Sequence, residues 1–232
     1  VVGGLLRSLG GTDARLGRSR YMVAEADESD GSFLLLKPTV AVVTNVDREH
    51  MDHYGTMDRL CQAYIDFINS IPFFGRAVLC VDCEQVRGLL DGLKKRYVTY
   101  GTSEDAQLRA VDISQDGLSV ASEAIKRKVA LGRARVGMPG QHSVLNALAA
   151  IAVGLEFGMS FEDCRRGIES FEGIMRRFEL KGEAGGVIVI DDYGHHPTEI
   201  RATLAAAKAA YPERRLVALF QPHRFSRTAD LF

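Results

Sequence analysis

Apolar positions along this chain recur in two rhythms. Thr39-Val-Ala-Val-Val43 and Arg76-Ala-Val-Leu-Cys80 are short β-branched or aliphatic runs, and each predicts a strand. Between them, over 58–71, apolar side chains fall at 60, 64, 65, 67, 68 and 71, which is the spacing of one helical face, and Pro72 stops the pattern. An earlier run, Arg20-Tyr-Met-Val-Ala24, predicts a strand that leads into a polar, acidic loop. Residues 84–93 predict a helix, with Lys94, Lys95 and Arg96 where cations suit its C-terminal dipole. Strands alternating with helices predict an α/β fold, a mostly parallel sheet flanked by helices.

The texture changes over 97–136. Ala110-Val-Asp-Ile-Ser and Leu118-Ser-Val-Ala alternate in character, and Asp116-Gly117 is a hairpin turn signal, so a small antiparallel excursion is expected. Helices are expected at 144–158 and 160–169, the second capped by Ser160 and supported by Asp163. After Phe171 the strand–helix rhythm restarts. Gly186-Val-Ile-Val-Ile190 is a continuous apolar run, the texture of a parallel strand buried on both faces. Pro197 opens a helix to Ala210, and Leu216-Val-Ala-Leu-Phe220 predicts the next strand. A boundary near 170–176 divides the chain into a domain at 1–172 and a second that opens at 173 and runs to 232.

Charge and composition narrow the classes. Of 232 residues, 29 are Lys or Arg and 30 are Asp or Glu, a net charge of −1, which argues against a nucleic-acid arm or a polybasic membrane patch. Hydrophobic residues at 46% and charged residues at 25% exclude disordered, collagen-like and disulfide-scaffold chains. The longest uncharged run, 136–155, contains Pro139, Gly140, Gln141, His142, Ser143 and Asn146, so it reads as a buried helix and not as a membrane span. Cys80-x-x-Cys83 has no second pair at zinc spacing; reduced thiols are the preferred reading, with a redox pair as the alternative. The chain starts Val-Val-Gly-Gly without Met and stops inside Thr-Ala-Asp-Leu-Phe232, so an internal piece of a longer protein is expected.

All six histidines lie in short polar clusters, several directly after a predicted strand. In open α/β sheets ligands bind just beyond the carboxyl ends of strands. Glu25-Ala-Asp-Glu-Ser-Asp30 places four carboxylates in six residues, and Asn45-Val-Asp-Arg-Glu-His-Met-Asp-His-Tyr54 follows the next strand. A carboxylate and an imidazole at adjacent strand ends can hold Mg²⁺ or Mn²⁺ for phosphoryl transfer. Gly140-Gln-His-Ser-Val-Leu-Asn146 opens a helix, whose free N–H groups suit phosphate or simply take Ser143 as a cap. Met175-Arg-Arg-Phe-Glu179 sits at the boundary, as a surface pair or a phosphate clamp. Asp191-Asp-Tyr-Gly-His-His-Pro-Thr-Glu199 and Gln221-Pro-His-Arg-Phe-Ser-Arg-Thr228 follow the strands of the second domain, and so dense a set of ionisable groups points to chemistry.

These motifs, in this order from end to end, resemble the Mur ligase family, and within it the alanine-adding branch. The resemblance implies most of a central ATPase domain and the start of a Rossmann-like C-terminal domain. It implies a cytoplasmic ATP-dependent carbon–nitrogen ligase of peptidoglycan precursor synthesis. Such an enzyme phosphorylates the carboxylate of UDP-N-acetylmuramate to an acyl phosphate, which the amine of L-alanine attacks. By motif position, Glu25 and His50 are implied as Mg²⁺ (or Mn²⁺) ligands, and Asn146, Arg177 and Asp192 as ATP contacts. Glu25, His50, Arg177 and Asp192 are the implied catalytic set. Tyr193, His195, Arg224 and Arg227 are implied on the substrates, with His142 a further nucleotide-side candidate and His196 a further substrate-side one. Ser143 stands where the family usually has Asn, and 60–68 holds no lysine, so no carbamylated lysine is expected there. No G-x-x-x-x-G-K-[ST] phosphate loop occurs, so it is expected upstream and the chain alone is expected to be inactive. A muropeptide-recycling ligase is the nearest alternative, although Ser29, Tyr193 and Gly194 favour the alanine branch; a non-catalytic nucleotide-binding module is the alternative of a different class.

Overall fold

The computed structural model describes residues 4–7, 10–223 and 225–231. From the amino end it forms β1 (Val40–Val43), α1 (Met51–Tyr54), α2 (Met57–Asn69), β2 (Arg76–Cys80), α3 (Glu84–Leu89) and β3 (Tyr97–Gly101). Then come β4 (Leu108–Asp116), β5 (Ser119–Lys126), β6 (Val129–Val136), α4 (Gln141–Glu156) and α5 (Phe161–Glu169). The six strands make one sheet in chain order, parallel from β1 to β4 and antiparallel from β4 to β6. Helical crossovers link the β1–β2 and β2–β3 pairs, and a turn at Asp116-Gly117 joins β4 to β5.

The period-two rule divides the core. In β2, Val78 and Cys80 pack with Tyr100, Leu108, Leu148 and Ile151 on one face. Ala77 and Leu79 pack with Phe67, Ile68, Val86 and Leu89 on the other. Both ends of the prediction for 58–71 hold: Thr56 caps α2 by accepting the Arg59 amide hydrogen, and the chain leaves the helix before Pro72. Ser160 caps α5 through the Asp163 amide at 3.1 Å, as its sequence spacing indicates. α4 starts at Gln141, three residues before the expected 144, because Gly140 takes φ +94 at the entry.

Just past β2, Asp82 fastens the carboxyl end of the sheet. Its carboxylate accepts the amides of Thr102 (2.8 Å) and Ser103 (3.1 Å) and both hydroxyls (2.7 Å each). Gly101 makes room for it, since a Cβ there would lie 2.2 Å from the Asp82 oxygen. Burial works to raise the Asp82 pKa, but these four bonds outweigh it and hold the carboxyl below its usual value. The Tyr100 hydroxyl is fully buried and has, among the described residues, no hydrogen-bond partner stronger than the Cys80 thiol, a weak one.

The second part contains the hairpin β7 (Glu179–Ala184) and β8 (Val187–Asp191), then α6 (Pro197–Ala210) and α7 (Phe225–Leu231). Three expectations are corrected here. The run 186–190 forms an antiparallel pair with β7, and Val187 and Val189 are more than half exposed, so it is not a doubly buried parallel strand. The runs 20–24 and 216–220 form no strand, and Met22, Val23, Val217 and Leu219 are exposed. A strand exists by its ladder, and neither run is paired into either described sheet. α6 is mounted near its end on the first part. The Gln115 side chain donates to the Ala206 carbonyl (3.3 Å) and accepts the Gly140 amide (3.1 Å). A Cβ on Gly140 would lie 2.9 Å from the Ala206 methyl.

Candidate active site

After β1 the chain turns through 44–50 into α1. His50 caps α1 with φ 56 and ψ 35, a left-handed conformation uncommon for a side chain of this size and a mark of local constraint. Its Nε2 stands 3.7 Å from a carboxylate oxygen of Glu28. Two turns order the acidic loop that presents Glu28: Asp27 accepts the Ser29 amide (2.8 Å) and Asp30 accepts the Ser32 amide (2.9 Å). The buried Tyr54 donates its hydroxyl to the Glu28 carbonyl at 2.5 Å and ties this loop to α1. Burial pushes the Glu28 carboxyl above its usual range, and burial together with Glu28 pushes the Tyr54 phenol up to about 12. Glu25 lies at the exposed start of the same loop; the carboxylate facing His50 is that of Glu28.

The start of α6 meets this loop from the other part of the chain. Thr198 donates its hydroxyl to Asp47 at 2.6 Å, and the buried His196 has Nδ1 3.6 Å from the same carboxylate and Nε2 3.3 Å from the Arg48 carbonyl. His196 also closes a capping box with Glu199, which accepts the amides of His195 (3.1 Å) and His196 (3.3 Å). Burial works to raise the Glu199 pKa, but those amides and Arg177 hold it below normal. Arg177 reaches Glu199 at 3.3 Å, and the guanidinium groups of Arg176 and Arg177 lie 4.7 and 5.9 Å from the Tyr193 ring centre. Asp192 accepts the amides of Phe178 (2.8 Å) and Gly194 (2.7 Å), one on each carboxylate oxygen.

The nearly buried Arg227 of α7 donates two bonds to one Glu49 oxygen, with Nε at 2.7 Å, and a third to the His223 carbonyl at 3.0 Å. His195 stands with Nε2 3.8 Å from the same Glu49 oxygen. Arg224 lies outside the described residues. His142 is half-buried in the first turn of α4, and burial pushes its pKa down, while Asp192 raises it and Arg177 lowers it further. Asn146, one turn on, is exposed. Ser143 is buried and donates to the Pro139 carbonyl at 2.9 Å, so its hydroxyl is turned inward.

The expected residues that the structure describes therefore fall into three groups: Glu25 in the acidic loop and His50 in the loop after β1; Arg177, Asp192, Tyr193, His195, His196 and Arg227 around the start of α6; and His142 and Asn146 on α4. Sequence reasoning singled out none of Glu28, Asp47, Glu49 or Glu199, although all four lie inside its clusters. For Glu199 a signal existed, because its place three residues after the cap is capping-box spacing. All four cysteines are free. Among the described residues, no three His, Cys, Asp or Glu side chains converge as a metal cage, and no helix is long and apolar enough to cross a membrane. A carboxylate–imidazole pair with open positions suits a hard cation that takes its other ligands from phosphate and water.

Comparison with known proteins supplies a frame for this geometry. The chain matches the Mur ligase middle domain over 12–154 and the Mur ligase glutamate ligase domain over 176–232. It is 55% identical to a UDP-N-acetylmuramate–L-alanine ligase of Geobacter sp. strain M21, covering 100% of this chain and 50% of that protein. Identity to the enzyme of that name from Desulfatibacillum aliphaticivorans is 53%, over 100% of this chain and 51% of the relative. A crystal structure of a UDP-N-acetylmuramate–alanine ligase from Thermotoga maritima superposes with a TM-score of 0.81 at 28% identity, covering 96% of this chain and 50% of that one. The chain thus spans about half the length of the relatives it matches.

Proposed function

The chain belongs to the Mur ligase family, and from that premise we propose that it is the central part of an ATP-dependent ligase that joins L-alanine to UDP-N-acetylmuramate. The observation that carries the proposal is the meeting of two loops from different parts of the chain. The acidic, His50-bearing loop after β1 meets Thr198 of α6 through Asp47 and the Arg227 guanidinium of α7 through Glu49. Joining a carboxylate to an amine requires activation of a poor electrophile and the holding of several anions together. A paired acidic and cationic lining meets both needs.

His50, with Glu28 and Glu25 in the loop opposite, would hold Mg²⁺ (or Mn²⁺), which supplies charge neutralisation for the transferring phosphoryl group. His142 and Asn146 stand four residues apart, hence on one face of α4, and would meet the nucleotide. Arg177 and Asp192 would join them, and Asp192, by tying Phe178 and Gly194 together at the base of the β7–β8 hairpin, would also keep Arg177 and Tyr193 in place. Tyr193, His195, His196, Arg224 and Arg227 would serve the substrate side. The division of the chain near 172–173 would let the two sets separate and meet again during turnover.

The test is a competition in the full-length enzyme among L-alanine, glycine, L-serine, D-glutamate and the recycled tripeptide, read as ATP-dependent phosphate release with UDP-N-acetylmuramate. L-alanine is expected to win, with glycine and L-serine slower but not excluded, since one methylene is worth roughly 1–3 kcal/mol. Faster use of the tripeptide would replace the assignment with muropeptide recycling, and faster use of D-glutamate would overturn it.

A further inference from the structure

Glu49 marks where the two parts of the chain meet, and it stands against two segments of the second part at once. One carboxylate oxygen accepts the Nε and Nη2 hydrogens of Arg227 and stands 3.8 Å from His195 Nε2. Arg227 is tethered a third time through Nη1 to the His223 carbonyl. A guanidinium has five N–H donors, so three are engaged and two remain available to a ligand. Its side chain is only 8% exposed, which leaves it little freedom to turn. Glu49 thus orients Arg227 without exhausting it, and the same oxygen places that guanidinium beside the His195 ring. His195 is steadied from the other side by the Tyr193 carbonyl at 3.1 Å.

We propose that Glu49 is a positioning residue, whose carboxylate fixes Arg227 beside His195 over the His50 end of the site so that the two meet the incoming amino acid and the developing charge. The proposal rests on the substrate-side reading of Arg227 and His195. Glu49 itself touches no substrate. Its effect should therefore show on the amine and not on the nucleotide or the metal.

The experiment compares wild type, Glu49→Gln, Glu49→Asp, Arg227→Gln and the Glu49→Gln/Arg227→Gln double variant in the full-length ligase. Glu49→Gln is expected to lower kcat/KM for the amino acid by about 10–100-fold, the scale of a small misplacement of reacting groups. The KM for ATP and the Mg²⁺ midpoint should stay within about twofold of wild type, since neither depends on differential contacts made by Arg227. Glu49→Asp keeps the charge and should recover part of the loss. The double variant should be no worse than Arg227→Gln alone, because both act through one contact. Additive losses, an unchanged kcat/KM, or a raised Mg²⁺ midpoint would overturn the proposal, the last by showing that Glu49 merely shapes the His50 loop. If wild type prefers another amine, the substrate assignment falls and the Glu49 comparison is made with that amine. A second measurement needs no activity: in the 232-residue chain, Glu49→Gln should speed hydrogen exchange in α7 and leave α2 unchanged, and equal exchange in α7 would refute the contact.

Discussion

Replacing Asp82 with alanine removes one carboxylate that serves four donors. Hydrogen bonds to a charged group contribute about 1.5–3 kcal/mol each, so a plain sum would reach about 6–12 kcal/mol. The sum is too large for two reasons. The Thr102 and Ser103 hydroxyls can rotate toward water, and bonds sharing one acceptor are not additive. The two main-chain amides cannot rotate away, and Asp82 is only half-buried, so solvent takes up part of the loss. The expected loss is about 2–4 kcal/mol. Urea unfolding of the 232-residue chain would measure it as a lower midpoint at unchanged slope. Because the folded pKa lies below the unfolded value of 3.8, the contribution is complete above that value and fades as pH falls through the folded pKa. The acid limb of wild type should accordingly be steeper than that of Asp82→Ala. A loss below about 0.5 kcal/mol, the range of ordinary surface changes, would refute the reasoning.

Gly101→Ala drives a methyl into the same carboxylate and should cost as much, with a double variant well short of additive. Tyr100→Phe removes a buried hydroxyl whose polar neighbour is the weakly bonding Cys80 thiol, so stability should rise by up to about 1 kcal/mol, read as a higher melting temperature. Ser160→Ala deletes the α5 cap and should cost about 1 kcal/mol by the same assay. In the full-length enzyme, His50→Ala should lower the maximal rate and raise the Mg²⁺ requirement; a rate and Mg²⁺ dependence equal to wild type would remove His50 from the site.

The elements legible in sequence were those whose partners are implied by their own pattern. β2 reads as a strand because both its faces are apolar, and α2 reads as a helix because one stripe is. The runs 20–24 and 216–220 carry the same apolar texture, but ladder pairing is a property of a neighbour and leaves no mark on the run itself. β8 misled for a related reason: its partner is Glu179-Leu-Lys-Gly-Glu-Ala, a polar strand with no hydrophobic signature to announce an antiparallel hairpin. At the site, composition located the acidic loop but not which carboxylate turns inward. The turns set by Asp27 and Asp30, and the hold of Tyr54 on the Glu28 carbonyl, bring Glu28 to His50.

α6 touches the rest of the molecule at Thr198 on Asp47 and again at Ala206 on Gly140 and Gln115. Eight residues of helix separate these contacts, about 12 Å along the axis. One attachment would leave the rod free to swing about it; two attachments define a line and remove that freedom. His195, His196 and Glu199 at the near end thereby inherit a bearing as well as a location. A bulkier side chain at 140 would act as a shim under one support, and the whole rod would tilt, carrying its Thr198 end off axis.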